Sequence, residues 1–287
     1  MPANYELLDS RFMGLDAPYE EADFVVFGAP FDSTCSFRPG TRFAPAAMRR
    51  DFIGLETYSP YLDRDLADYK ISDLGDLDLA IGAPNTCIKQ ISAFVTKLLA
   101  DNKRPVMIGG EHLLTLATVK TLYEKYPQLH LIQMDAHTDL RDDYLGLKLS
   151  HAAVIRRCHE FLGDGRIYQF AIRSGEKSEF EWAKQHTDLH KFSLDGLKES
   201  IEVLKSKQVP VYFTLDLDVL DPSVFPGTGT PEPGGLSFDE LRRAIASMEG
   251  LNLVGMDLME LSPHYDASGV STAVACKLLR EMLLTFA

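Results

Sequence analysis

Cysteines and long apolar runs are scarce in this sequence, and each shortage excludes a class of protein. The four cysteines are scattered, with no CxxC pair, which indicates free thiols rather than zinc or redox chemistry. No apolar stretch approaches the roughly 20 residues that cross a membrane. The first ten residues, MPANYELLDS, lack the basic and then apolar layout of a signal peptide. We therefore expect a cytoplasmic protein without a membrane partner.

Basic residues are also in short supply. The chain has 29 Lys and Arg against 42 Asp and Glu, a formal net charge of -13. This balance disfavours nucleic acid as a partner and favours a cationic ligand. At 287 residues and 45% hydrophobic composition, with no linker of Pro, Gly or Ser and no repeat, the chain is predicted to form a single domain over residues 1–287.

The chain alternates short β-branched runs with amphipathic helical segments from end to end. Several runs are continuously apolar, such as RPVMIGG, PVYFTLDLD and LNLVGMDLMEL. Continuous apolar strands are typical of a parallel sheet that is covered by helices on both faces. The alternation predicts an α/β fold, a three-layer α/β/α sandwich with a mostly parallel sheet of about eight strands. A closed α/β barrel fits the same alternation and is the alternative.

Polar clusters follow four of the predicted strands. In parallel α/β sheets, ligands bind beyond the carboxyl ends of the strands, so clusters on several strand ends can converge on one crevice. The four segments are IGGEH (108–112), QMDAHTDL (133–140), TLDLDVLDP (214–222) and DLMELSP (257–263).

Two of these clusters contain candidate metal ligands at a spacing of two. Side chains alternate along a strand, so Asp135, His137 and Asp139 can share one side. Asp216 and Asp218 are spaced in the same way. Aspartates at strand ends also serve in turns and helix caps, and this is the alternative for the DLDVLDP segment.

His112 adds a second imidazole from a neighbouring strand. Four carboxylates and two imidazoles in one pocket would repel one another, and a pair of divalent cations removes the conflict. Ligands rich in oxygen, with two histidines and no thiolate, indicate a hard metal such as Mn²⁺ rather than structural zinc.

These motifs together resemble those of the ureohydrolase family, which includes arginases and agmatinases. GGEH, MDAHTDL, TLDLDVLDPSVFPGTGTPEPGG and GMDLMELSPHYD occur in the family's order and spacing, and the similarity covers nearly the whole chain. AIRSGEKSEFEWAK, FRPGTRFAPAAMR and KLLREMLL resemble bacterial agmatinases in particular. The resemblance implies an arginase-like three-layer fold and a homo-oligomer, a trimer or a hexamer.

The resemblance also implies two Mn²⁺ ions per subunit. Asp135 and Asp216 would bridge them. One ion would be held by His112, Asp135, Asp139 and Asp216, and the other by Asp135, His137, Asp216 and Asp218.

The implied reaction is the hydrolysis of agmatine to putrescine and urea. Two residues take catalytic roles by their match to family positions: His151 would shuttle protons, and Glu260 would receive the guanidinium group of a small cationic substrate. In the expected reaction, Asp139 would accept a proton and pass it to the leaving amine. Without the resemblance, His151 reads as a surface histidine and Glu260 as a strand-end carboxylate.

Some features of the sequence leave the identity of the substrate undecided. Ala152 and Ala153 stand where many agmatinases have Gly-Thr or Ser-Thr. Glu111 is a possible hydrogen-bond partner of a metal ligand. Asp142 and Asp143 could serve the distal ammonium of agmatine. Guanidinobutyrate, arginine or another linear guanidino compound is the alternative substrate, and an inactive metal-binding scaffold is the alternative of a different class.

Overall fold

The computed structural model describes residues 11–287, and the segment used above to argue against a signal peptide lies outside that range. The strands are β1 (Phe24–Ala29), β2 (Tyr58–Ser59), β3 (Arg64–Asp65), β4 (Ile71–Asp76), β5 (Arg104–Gly109), β6 (His130–Met134), β7 (Ile167–Ile172), β8 (Asp188–Lys191), β9 (Val211–Asp216) and β10 (Leu253–Met259). The helices are α1 (Ala44–Phe52), α2 (Pro84–Ala100), α3 (Thr115–Lys125), α4 (Val154–Leu162), α5 (Lys177–His186), α6 (Leu197–Lys207), α7 (Phe238–Ser247) and α8 (Val270–Phe286).

Eight of the strands form one sheet in the order β4-β1-β5-β10-β9-β6-β7-β8, and every neighbouring pair is parallel. The predicted number of strands and the predicted parallel sheet are therefore confirmed. The sheet is open, with β4 and β8 at its edges, so the barrel alternative is wrong. The short hairpin of β2 and β3 lies outside the sheet and was not predicted.

Helices cover both faces of the sheet, and a hydrophobic core lies on each side. One core packs α1, α6, α7 and α8 against the sheet, and the other packs α2, α3, α4 and α5 against the opposite face. Neighbouring strand residues alternate between the cores, with Val106 in the first and Met107 in the second. The three-layer prediction is thus confirmed.

Local sequence explains where several helices begin. Proline opens α2 at its first position, where its missing N–H would have no helical partner. Ser237 and Glu240 form a capping box at the start of α7. Among residues 11–287, no helix is long and apolar enough to cross a membrane.

Candidate metal centre

The four polar clusters meet at one edge of the sheet. β5, β10, β9 and β6 are neighbours in the sheet, so their carboxyl ends lie side by side. His112 follows β5, Asp135 follows β6, Asp216 ends β9, and Glu260 follows β10. All four side chains are buried.

The strands stop earlier than the sequence predicted. β6 ends at Met134, so Asp135, His137 and Asp139 lie in the loop that follows it and not on an alternating strand. The three side chains still converge because the loop turns, with Asp139 in the left-handed region at a φ of 53°. Glu260 is likewise left-handed, at a φ of 66°. Such backbone strain is concentrated at functional sites.

The first group of ligand atoms surrounds His112. Its Nδ1 lies 3.1 Å from Asp135 Oδ2, 3.1 Å from Asp139 Oδ2 and 3.2 Å from Asp216 Oδ2. This nitrogen is buried and has no hydrogen-bond partner among residues 11–287, although three carboxylates face it. Lone pairs directed at a shared point, rather than paired in hydrogen bonds, are what a metal ion requires.

The second group surrounds His137. Its Nδ1 lies 3.0 Å from Asp218 Oδ2 and 3.6 Å from Asp135 Oδ1. Asp135 therefore faces the first group with Oδ2 and the second with Oδ1, the arrangement of a bridging carboxylate. Asp216 turns Oδ2 to His112, while its Oδ1 accepts the Asp218 N–H at 2.9 Å.

Burial of several carboxylates together disfavours their ionised forms. Desolvation, with the nearby charge of Asp135, raises the pKa of Asp139 to about 7. Desolvation and the neighbouring aspartates also raise the pKa of Asp216 well above its ordinary value. Divalent cations would stabilise the ionised carboxylates, so the donor set fits a pair of such ions.

The second ring nitrogen of His112 belongs to a network that sequence reasoning missed. His112 Nε2 lies 2.8 Å from Thr214 Oγ1, and the Thr214 hydroxyl donates to Asp257 Oδ1 at 2.6 Å. Thr115 and Tyr212 donate to the other oxygen of Asp257. The neutral imidazole therefore donates from Nε2 and leaves the Nδ1 lone pair for a metal. The one sequence signal was a polar residue within each of two apolar runs, Thr214 and Asp257.

Glu260 is held beside the first group. Its Oε1 accepts the backbone N–H of His112 at 2.7 Å, and its own N–H donates to the carbonyl of Gly110. Gly110 permits this turn, because a Cβ there would lie 1.9 Å from the Phe31 carbonyl oxygen. A cavity of about 280 Å³ opens over the cluster, with Glu260 in its lining.

His151 lies at the wall of the same cavity. Its backbone N–H donates to Thr34 Oγ1 at 3.1 Å, and its Nε2 lies 3.5 Å from Ser36 Oγ. The Thr34 hydroxyl donates to Glu111 at 2.6 Å. The Glu111 carboxylate thus accepts hydrogen bonds from Thr34, the residue that holds His151, rather than from a side chain of the ligand groups. Burial, with the charge of His137, lowers the pKa of His151 to about 4.

The residues at the rim of the cavity are not those that the sequence suggested for binding the distal ammonium of the substrate. Asp142 and Asp143 do not line the cavity; Asp142 pairs with Arg157, and Asp143 accepts the Gly146 N–H. The rim carries Arg141 and Glu176 instead, with their side chains 2.8 Å apart. Asp221 does not line the cavity and accepts the backbone N–H groups of Ser223, Gly234 and Gly235.

The fold and the centre together define a class of protein: an α/β enzyme with two imidazole–carboxylate groups suited to a pair of divalent cations. Comparison with known families identifies the family within this class. A sequence profile of the arginase family matches residues 22–285, and the chain belongs to that family. The family depends on a binuclear metal centre, in agreement with the two groups described.

Close relatives extend over almost the whole chain. An agmatinase of Bacillus subtilis (strain 168) is 46% identical over 279 residues, which cover 96% of each chain. An agmatinase of Bacillus anthracis is 47% identical over 270 residues, covering 93% of this chain and 92% of that one. The crystal structure of agmatine ureohydrolase of Thermoplasma volcanium superposes with a TM-score of 0.89 at 35% identity, covering 97% and 94%.

Proposed function

We propose that this protein hydrolyses agmatine to putrescine and urea. The main support for this activity is the pair of imidazole–carboxylate groups at neighbouring strand ends. They occur in a chain that is similar to an agmatinase along 96% of its length. A small guanidino compound fits the acidic cavity above these groups, because a guanidinium cation complements its carboxylates.

The proposal assigns the ligands of two Mn²⁺ ions. Asp135 and Asp216 would bridge the two ions, and Mn²⁺ is the expected ion because oxygen donors outnumber nitrogen donors and thiolates are absent from the set. His112 and Asp139 would complete one coordination set, and His137 and Asp218 would complete the other. When bound, the two ions lower the pKa of water and so supply a nucleophile at neutral pH.

The protein's own residues then bind the substrate and move its protons. Glu260 receives the guanidinium group, since its carboxylate borders the cavity beside the first ligand group. An Asp139 oxygen accepts the proton released by the attacking water and returns it to the leaving amine. The other proton of that water, lost when the water ionises, leaves through His151, which Thr34 holds at the cavity wall. The released amine takes up one proton from solvent, so guanidinium and water give urea and an alkylammonium ion with no net change in protons.

The rim favours agmatine over arginine. Among the described residues of the cavity lining, Arg141 is the one Lys or Arg, and Glu176 and Glu179 lie 2.8 and 3.7 Å from its guanidinium nitrogens. These carboxylates outnumber the arginine, so the rim attracts the distal ammonium of agmatine and repels a carboxylate. Glu176 is the proposed partner of that ammonium, in place of Asp142 or Asp143.

The proposal also includes the number of domains, the oligomeric state and the cellular location of the protein. Residues 1–287 form one ureohydrolase domain, which is supported by the continuous sheet and the single family match. We expect a homo-oligomer, a trimer or a hexamer, in the cytoplasm. Light scattering coupled to size exclusion tests the oligomeric state.

A substrate panel tests the activity. Urea release is measured with Mn²⁺ and with agmatine, guanidinobutyrate and arginine as substrates. We expect kcat/KM to be highest for agmatine. A higher value for either carboxylate-bearing compound would transfer the proposal to that substrate, and urea release from none of them would favour the inactive scaffold.

A further inference from the structure

A second group of metal-ligating side chains lies at the surface and takes no part in the lining of the cavity. His159 belongs to the last turn of α4, Asp164 lies in the turn that follows, and His186 ends α5. Asp164 Oδ1 is 2.8 Å from His159 Nε2 and 2.7 Å from His186 Nδ1. The three ligand atoms lie within 4.8 Å of one another.

The turn that carries Asp164 brings its carboxylate to the ends of both helices. Glycines flank it, and Gly163 and Gly165 both adopt left-handed conformations, at φ of 80° and 71°. Their missing side chains allow the chain to reverse within a few residues of the end of α4. The Asp164 side chain is 65% exposed, so it can move by the few tenths of an ångström that a shared ion would require.

Trp182 fixes the two imidazoles. The His186 ring stacks on the indole, with centroids 4.2 Å apart, and the His159 ring meets it edge-on at 4.6 Å. Packing has therefore restricted both rings before any ion binds, so binding costs little side-chain entropy. The His159 side chain is 16% exposed and that of His186 is 28% exposed, which leaves access from solvent.

The donor set of this surface group differs from that of the buried centre. Two imidazole nitrogens and one carboxylate oxygen form the three-ligand set of open zinc sites, in which water takes the fourth position. We propose that His159, Asp164 and His186 form a separate surface site for a divalent transition cation such as Zn²⁺ or Cu²⁺. The alternative is a hydrogen-bonded cluster in which both imidazoles donate to one carboxylate and no ion binds.

Trp182 provides the readout, because it is the only tryptophan in the chain. The Mn²⁺-loaded protein is titrated with Cu²⁺ while the indole fluorescence is followed. An ion held by His186 lies next to the stacked indole and quenches it, so we expect saturable quenching. Asp164→Ala removes one ligand and leaves both rings beside Trp182. This variant should weaken the apparent affinity at least about tenfold, as loss of even an outer partner of a metal ligand does.

Asp188→Ala is the matched control. Asp188 is also an exposed aspartate, 3.1 Å from one histidine nitrogen, that of His190, but it has no place in the three-ligand group. It should retain wild-type quenching. Manganese content and urea release are measured in the same samples, because displacement of Mn²⁺ from the buried centre is the competing source of a signal.

A second measurement replaces Cu²⁺ with Zn²⁺. In the Mn²⁺-loaded protein, Zn²⁺ should raise the Tm of the wild type and of Asp188→Ala more than that of Asp164→Ala. Absence of saturable quenching overturns the proposal. It is also overturned if Asp164→Ala is quenched as strongly as the wild type, or if quenching appears only as Mn²⁺ is released.

Discussion

At the scale of single residues, the contacts of the centre converge on His112. One ring nitrogen faces three aspartate oxygens at 3.1 to 3.2 Å, and the other is bound to Thr214. Its backbone N–H holds Glu260 at 2.7 Å. One side chain therefore links the proposed metal ligands to the proposed guanidinium receptor, and a shift of its ring would disturb both.

The aspartates differ in how many metal ions they are expected to hold. Asp216→Ala should abolish both manganese occupancies, because its carboxylate is assigned to both ions, whereas Asp218→Ala should deplete one. The measurement is manganese content per subunit by elemental analysis. Equal loss in the two variants would show that the assignment of the Asp216 bridge is wrong.

His151 should matter for turnover and not for metal content. His151→Ala is expected to lower kcat by about 10²–10⁴-fold, the usual contribution of a general acid–base group. Manganese should remain bound, since the residue belongs to neither coordination set, and added imidazole should restore part of the rate. His130→Ala serves as the control, because His130 begins β6 at the opposite end of the strand from the centre. Wild-type turnover in His151→Ala would refute the shuttle role.

At the scale of elements, the register of β9 against β10 sets the hydrogen bonds that orient His112. Thr214 and Asp257 are paired residues in these parallel strands, so the hydroxyl and the carboxylate meet below His112. The contact depends on strand pairing, because the two residues are 43 positions apart in sequence. The sheet thereby fixes the orientation of a ligand that β5 delivers.

Thr214→Val tests this network with almost no change of shape. Removal of the hydroxyl leaves the His112 Nε2–H unpaired, so manganese affinity should fall by about 10–100-fold, the usual cost of losing an outer partner. Thr121→Val is the matched control, since the buried Thr121 hydroxyl donates to the carbonyl of Ala117 in its own helix, away from the centre. Affinity is measured by competition with a metal chelator. If both variants bind manganese like the wild type, the network does not position His112.

At the scale of the whole molecule, the centre joins four strands of the sheet, so its metal ions should contribute to the stability of the entire fold. Manganese at about 100 times its dissociation constant should add roughly 2.7 kcal/mol to the free energy of unfolding. Thermal melts with Mn²⁺ and after exhaustive chelation should therefore differ by several degrees. Identical melts would contradict the assignment of a metal centre.

The sequence by itself determined the α/β class of the fold and the candidate metal ligands. Continuous apolar runs between amphipathic helices predict a parallel sheet with two covered faces, because both faces then require apolar side chains. The aspartates and histidines stand at strand ends in the sequence, and parallel strands bring their carboxyl ends to one edge. The sequence alone therefore places His112, Asp135 and Asp216 in one group.

Only the tertiary structure decided what surrounds those residues. The Asp257–Thr214–His112 network depends on strand order, and sequence alternation leaves that order open. Glu111 binds the N–H and the hydroxyl of Thr34, the residue that contacts His151, because the turn after β5 directs it there. Glu176, rather than Asp142, faces the cavity because the loop after β6 pairs Asp142 with Arg157. Loop conformation and cross-strand contacts are set by packing between distant segments, which no local pattern in the sequence specifies.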